Sequence, residues 1–295
     1  MYKEFSELVK NIYATKEYIP LHEPRFIGNE KEYVLNTIDT TFVSSVGAYV
    51  DKFETAIAKY TGVKYAIATV NGTAALHIAL KLAGVKSDDE VVTQSLTFVA
   101  TCNSIRYCGA TPVFVDVDLK TLGLSAESLQ SFLDEYCEIR DDGFCWNKIS
   151  NRVVRACLPM HTFGMPAKLD AIKLVCDRYN IVLVEDAAES LGSTYNQQYT
   201  GTFGKLAAIS FNGNKIITTG GGGMLLTNSE NLARQAKHIT TTAKINHKWA
   251  FEHNEIGFNY RLPNINAALG LAQLECLPSF VDKKRELANI YQDWG

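Results

Sequence analysis

Between Tyr65 and Thr227 short apolar runs alternate with helical stretches, and few architectures satisfy that order. Strands are expected over residues 65–70, 90–93, 112–117, 153–159 and 181–184, with shorter ones over 207–211 and 224–227. Between them, helical periodicity marks 73–82, 98–107, 125–136 and 169–179. Brief β-branched runs joined by helices of about ten residues imply a largely parallel sheet covered on both faces. Upstream, helical spacing predicts helices over 2–13, 30–38 and 50–60. Residues 138–152, polar and carrying Asp141-Asp142-Gly143, read as a surface loop. Past Ser229 the chain turns helical, with one helix over 264–277 and the start of another over 280–294 that has no capping signal before Gly295. That ending reads as an interruption of a longer chain. The fold class expected is therefore α/β, three-layered, around a mainly parallel central sheet.

Composition narrows the function classes. A net charge of −3 over 295 residues gives no basic footprint, so neither nucleic acid nor an anionic membrane is implied as a partner. Charged residues interrupt positions 1–20, which removes a signal peptide, and no run approaches the roughly 18 apolar residues of a membrane span. A cytoplasmic chain is the expectation. Seven cysteines, scattered without CxxC pairs or interleaved histidines, read as reduced core thiols and not as a metal site.

In open α/β sheets ligands gather where loops converge at the carboxyl ends of strands. The turn Asn71-Gly72-Thr73-Ala74-Ala75 opens a helix there, and its free amides suit a phosphate; a plain turn glycine is the bland alternative. Phe98 begins a helix near the same edge and could cover a flat aromatic ring, or simply be core. The strand Ile181-Val182-Leu183-Val184 runs into Glu185-Asp186, and an acid pair at the tip of a buried strand needs a partner or a role. Lys215 follows 29 residues later, ahead of four glycines, Gly220 to Gly223. The order is wrong for a P-loop, whose glycines precede the lysine and whose next residue is Ser or Thr. An amine paired with a carboxylate is what pyridoxal phosphate needs, for a Schiff base and for its pyridinium nitrogen. Ser210, five residues before Lys215, is placed to set a hydroxyl on a phosphate held at the Gly72-Thr73 turn.

These residues fall in runs that resemble a known family: Val43-Ser44-Ser45-Val46-Gly47, the Asn71 turn, Leu96 to Thr101, Val184 to Gly192, Ser210 to Gly223, and Gly257-Phe258-Asn259-Tyr260-Arg261. In that order they resemble the DegT/DnrJ/StrS group of pyridoxal-phosphate-dependent sugar aminotransferases, across residues 19 to 295. The resemblance implies the aspartate-aminotransferase-type fold (fold type I), with the C-terminal small domain largely absent. The domains implied are an N-terminal segment over 1–50, a large cofactor domain over 51–245, and an interface loop with the start of the small domain over 246–295. Phe211 to Gly223 and Thr240 to Lys244 look most like the branch that aminates nucleotide-linked 4-keto-6-deoxy sugars carrying an N-acetyl group.

Carried over by position, Lys215 is the Schiff-base lysine and proton shuttle, and Asp186 the pyridinium partner. Phe98 stacks on the ring, while Gly72, Thr73 and Ser210 hold the phosphate. Glu189 stands where many relatives have Gln beside the cofactor's phenolic oxygen, so its carboxyl is either protonated or turned away. Asn259 reaches the phosphate of the neighbouring subunit's cofactor, which implies a homodimer with shared sites. Ser45 and His161 are candidate sugar contacts, His161 equally a structural histidine. The substrates implied are a nucleotide sugar, of UDP-N-acetyl type, and an amino-acid donor, glutamate. Two rival readings remain: a dehydratase of the same fold, in whose members histidine replaces the Schiff-base lysine, and a truncated cofactor-binding subunit without turnover.

Overall fold

The computed structural model describes residues 2–294; Met1 and Gly295, with the expectation about the chain's end, lie outside them. Three helices come first: α1 (Tyr2–Ile12), α2 (Glu30–Asp39) and α3 (Ala48–Thr61). Alternation then follows as β1 (Tyr65–Thr69), α4 (Gly72–Leu82), β2 (Glu90–Gln94), α5 (Val99–Tyr107), β3 (Thr111–Val115) and α6 (Ala126–Tyr136). A short hairpin, β4 (Cys137–Ile139) and β5 (Cys145–Asn147), leads into β6 (Arg152–Cys157), α7 (Leu169–Arg178) and β7 (Val182–Asp186). The rest comprises a second hairpin, β8 (Thr194–Tyr195) and β9 (Gln198–Tyr199), then β10 (Leu206–Ser210), β11 (Gly223–Thr227), α8 (Glu230–Thr240) and α9 (Asn264–Trp294).

The main sheet runs β1-β11-β10-β7-β6-β2-β3. Pairing is parallel from β10 through β3, and β11 is antiparallel to both its neighbours. Six of these strands therefore point one way, and their carboxyl ends share one edge. Alternate residues feed opposite cores, as the two-residue period of a strand requires. Ile67, Ala208 and Leu225 pack with α4, α5 and α8, whereas Ala66, Ile209 and Met224 pack with α3 and α9. A third cluster sets Val92, Val154 and Leu183 against α6 and α7. The fold is α/β with three layers, as expected.

Two expectations are corrected. Residues 138–152 are not all loop: β4 and β5 pair with each other and β5 adds to β6, the turn between them closed by Gly143 at φ 78°. Buried Cys137 and Cys145 supply the inward-facing positions that hold the hairpin to the core. The expected break near Pro278 is also absent, since α9 runs unbroken through it. Proline costs a helix one internal amide. The apolar half before it, including Ala267, Leu274 and Leu277, is anchored against α3 with enough buried surface to carry the helix past. On its other side Gln273 Nε2 donates to Glu30 Oε1 at 2.6 Å, tying α2 to the same helix.

Candidate active site

Asp186 ends β7 at the carboxyl edge, and strand alternation sends it and Glu185 to opposite faces. Asp186 faces α5: its Oδ2 accepts from the Thr101 hydroxyl at 2.7 Å and its Oδ1 from the Ala188 amide at 3.2 Å. Burial pushes its carboxyl above the usual range, opposed by those two hydrogen bonds and by the nearby His161 and Lys215. Thr101 in turn lies 2.6 Å from the Thr97 hydroxyl, so with Thr101 donating to an ionised Asp186, Thr97 donates to Thr101.

Glu185 points the other way and is fully buried. Its Oε1 accepts from the amides of Phe203 at 2.7 Å and Gly204 at 2.6 Å, and its Oε2 from the Gly201 amide at 2.8 Å. His161 Nε2 lies 3.1 Å from Glu185 Oε2, while its Nδ1 accepts from the Ala167 amide at 3.3 Å. With Nδ1 an acceptor, Nε2 carries the proton and donates to Glu185. His161 is 0% exposed, with both ring nitrogens engaged, by Glu185 and by the Ala167 amide.

The side of the site nearest α4 is built by two strand ends that flank a reversed strand. Gly223 opens β11 and pairs with Thr69 on one side and Ser210 on the other. A side chain there would strike the Asn71 carbonyl carbon at 2.4 Å, so glycine lets the strand pass beneath the turn. Above it, Asn71 Oδ1 caps the Ala74 amide at 2.8 Å, and helix geometry leaves the first amides of α4, Gly72 and Thr73, without partners inside the helix. A Cβ on Gly72 would lie 2.9 Å from Ser210 Cβ and 3.3 Å from its hydroxyl. The structure thus brings together Gly72, Thr73 and Ser210.

Lys215 hangs from the β10–β11 loop, which is pinned by buried Phe211 and Ile217; the Phe211 ring packs 5.0 Å from Phe53. Its Nζ is 3.3 Å from Glu189 Oε1, and Glu189 Oε2 accepts from the Phe163 amide at 3.0 Å. Glu189 is therefore turned to the lysine. Phe163 adopts the left-handed φ of 55°, which aims its amide at that carboxylate. Lys215, Ser210, Ala188, Glu189 and Phe163 line one cavity of about 700 Å³. Phe98 stands just before α5 at the same edge, 64% exposed.

Two candidates lie elsewhere. Ser45 is outside the walls of that cavity, on a segment fixed to the start of α9 by the Asn264 amide donating to Ser44 O at 2.6 Å. Asn259 is exposed, its Oδ1 accepting from Arg261 Nε at 3.0 Å and Nη2 at 2.9 Å. Phe258 and Tyr260 on either side turn inward onto His77, so alternation points Asn259 outward. Sequence reasoning missed Thr101 as the partner of Asp186; its signal was a hydroxyl one helical turn after Phe98. It also missed Glu185, whose neighbour drew the attention.

These residues fit pyridoxal phosphate. Gly72 approaches Ser210 so closely that a methyl on it would overlap Ser210 Cβ, which sets a helix N-terminus beside a serine hydroxyl, as a phosphate needs. Asp186 is a buried carboxyl whose charge a cationic ring nitrogen would favour, and Lys215 lines the enclosure above. Among the described residues no group of side chains has metal-ligand geometry, and no helix is long and apolar enough to cross a membrane.

Comparison with known proteins agrees. Residues 24–294 match the profile of the DegT/DnrJ/EryC1/StrS aminotransferase family. The chain is 41% identical to a GDP-perosamine synthase of Escherichia coli O157:H7, covering 94% of this chain and 71% of that protein. It is 42% identical to the GDP-perosamine synthase of Caulobacter vibrioides, covering 93% and 69%. Among solved structures, the aminotransferase TlmJ from Streptoalloteichus hindustanus superposes with a TM-score of 0.83 at 29% identity, covering 94% of this chain and 71% of that one. DesI, solved with its TDP-sugar product, gives 0.78 at 26% identity, covering 92% and 64%. The chain thus spans about two thirds of the length of the proteins it matches. It belongs to the DegT/DnrJ/EryC1/StrS aminotransferase family, a family of pyridoxal-phosphate-dependent sugar aminotransferases.

Proposed function

We propose that this chain transfers an amino group from glutamate to C4 of a nucleotide-linked 4-keto-6-deoxy sugar, for amino-sugar and surface-polysaccharide synthesis. The observation that carries this reading is the meeting, at one sheet edge, of a buried carboxyl on Asp186 and an amine on Lys215 above a glycine-serine cleft. When bound there, pyridoxal phosphate supplies an electron-withdrawing ring and a carbon that accepts amines. Asp186, in its ionised form, holds a proton on the ring nitrogen. Thr101 and the Ala188 amide hold that carboxylate in place. Gly72, Thr73 and Ser210 grip the phosphate, and Phe98 covers one ring face. Lys215 would hold the cofactor through its amine and would serve as the general acid and base that moves the substrate's proton. Glu189 is its proton and positioning partner at 3.3 Å.

Lysine at position 215 argues against the dehydratase reading. The nucleotide is the open choice within the class: the branch resemblance favours a UDP-linked N-acetyl sugar, and the relatives' name favours GDP. We also infer a homodimer in which Asn259 serves the partner's phosphate site, in keeping with its outward orientation. Incubation of the reconstituted protein with glutamate and a panel of UDP- and GDP-linked 4-keto sugars, read by mass spectrometry, tests the reading. A product one amino group richer supports it; absence of product from every sugar, with cofactor loaded, leaves the truncated-subunit reading standing.

A further inference from the structure

The Lys215 cavity has a second wall that the amino-transfer chemistry does not use. It comes from the latter half of α9, with Lys284 and Arg285, and from His22 in the segment ahead of α2. Gly192 lets the helix come this close. It sits at φ 94°, and a Cβ there would meet Val281 Cγ2 at 2.8 Å, so any other residue would push α9 away from the cavity. Arg285 Nη2 is 3.5 Å from Gly192 O, which steadies its guanidinium at the wall.

No carboxylate answers the two cations. Among the described residues neither Lys284 nor Arg285 pairs with a carboxylate. His22 Nε2 is buried without a hydrogen-bond partner. The one carboxylate lining the cavity, Glu189, is already engaged by Lys215 and the Phe163 amide. Lys284, Arg285 and the partnerless His22 nitrogen therefore face an enclosure whose one carboxylate is already paired with Lys215, and such a corner concentrates anions. Burial and the charge of Lys284 lower the proton affinity of His22, opposed by a hydrogen bond to the Gly213 backbone.

A nucleotide-linked sugar brings its anion from the far side of the sugar ring. With C4 beside Lys215, the diphosphate on C1 lies across the hexose and away from the amine. The α-carboxylate of an amino-acid donor, by contrast, sits one bond from the reacting carbon and stays close to Lys215. We propose that His22, Lys284 and Arg285 form the subsite for the diphosphate of the nucleotide-linked substrate. The proposal rests on the sugar-aminotransferase reading and adds where the substrate's charge is received.

Binding without turnover tests it. Equilibrium dialysis of the cofactor-loaded protein with GDP, UDP, guanosine and glutamate is compared between the wild type and Lys284→Met, Arg285→Met and His22→Ala. Lys284 is exposed, so its variant folds whatever its role. The expected result is that each charge-removing change weakens GDP and UDP about tenfold or more, with guanosine and glutamate unmoved. Diphosphate binding equal to wild type in Lys284→Met and Arg285→Met overturns the subsite. So does a loss confined to glutamate, which would assign the corner to the donor. A protein that binds diphosphates here yet aminates no sugar supports the subsite and overturns the proposed reaction instead.

Discussion

Thr101 donates its hydroxyl to Asp186 Oδ2 at 2.7 Å, and that one contact ties α5 to the tip of β7. Thr101 acts through Asp186 as a positioning residue. Thr101→Val keeps the shape and removes the donor, so kcat should fall about tenfold, near 1.4 kcal/mol, with little change in KM. Thr101→Ser should restore most of it, which a purely packing role would not permit. Steady-state kinetics of the two variants checks both statements.

Asp186 also gives the cofactor-free protein a signature in pH. Its folded carboxyl is held above the ordinary 3.8, so the folded chain binds that proton more tightly than the unfolded one. The contribution is complete below that unfolded value and is lost as pH rises through the raised folded value. Asp186→Asn removes it. Denaturation midpoints of the two proteins should therefore shift in the variant's favour as pH rises from about 4 toward neutrality. A difference independent of pH would mean that the carboxyl is not raised.

Lys215→Ala should leave a protein that folds and retains part of its cofactor through the phosphate cleft. Borohydride should then fix cofactor to the wild type and not to the variant. Peptide mapping of the reduced wild type locates the tag, and a tag on another lysine would refute the assignment.

Gly72→Ala places a methyl 2.9 Å from Ser210 Cβ, so the start of α4 and the end of β10 must move apart. Cofactor affinity should drop by tenfold or more, an energy of about 1.4 kcal/mol, while the far-ultraviolet spectrum stays unchanged. Spectroscopic titration of the apoprotein with pyridoxal phosphate measures it.

Glu185→Gln should cost stability, with activity affected only through it. Both carboxylate oxygens of Glu185 receive donors, so either orientation of the amide sets an NH2 group against an N–H. A loss of about 1–3 kcal/mol is expected, read as a lower denaturation midpoint.

The strands were legible because β-branched runs between helices admit few alternatives. Their tips were legible because chemistry gathers there, and Lys215 and Asp186 stood out by residue type and order. What stayed hidden depends on direction. Glu185 and Asp186 are adjacent letters, yet only the register of β7 against β10 decides which faces α5 and which faces the 201–204 turn. His161 follows a strand just as a ligand-facing residue would. The turn through Phe163 at φ 55° forms a local bend, and the ring of His161 lies in the core. The β4–β5 hairpin was masked by charge, since only three residues of each strand pair.

The reversal of β11 has one more consequence. A strand antiparallel to its predecessor must begin at the edge where that predecessor ends, so residues 211–222 start and finish at the carboxyl edge within one strand spacing, about 5 Å. Lys215 is leashed at both ends, by the Phe211 amide to Gly222 O at 2.9 Å and by the Thr219 amide to Phe211 O at 3.0 Å. The amine is thus confined to a small volume above the site, where it meets Glu189. Its effective concentration there is set by sheet topology, before any contact with a ligand is made.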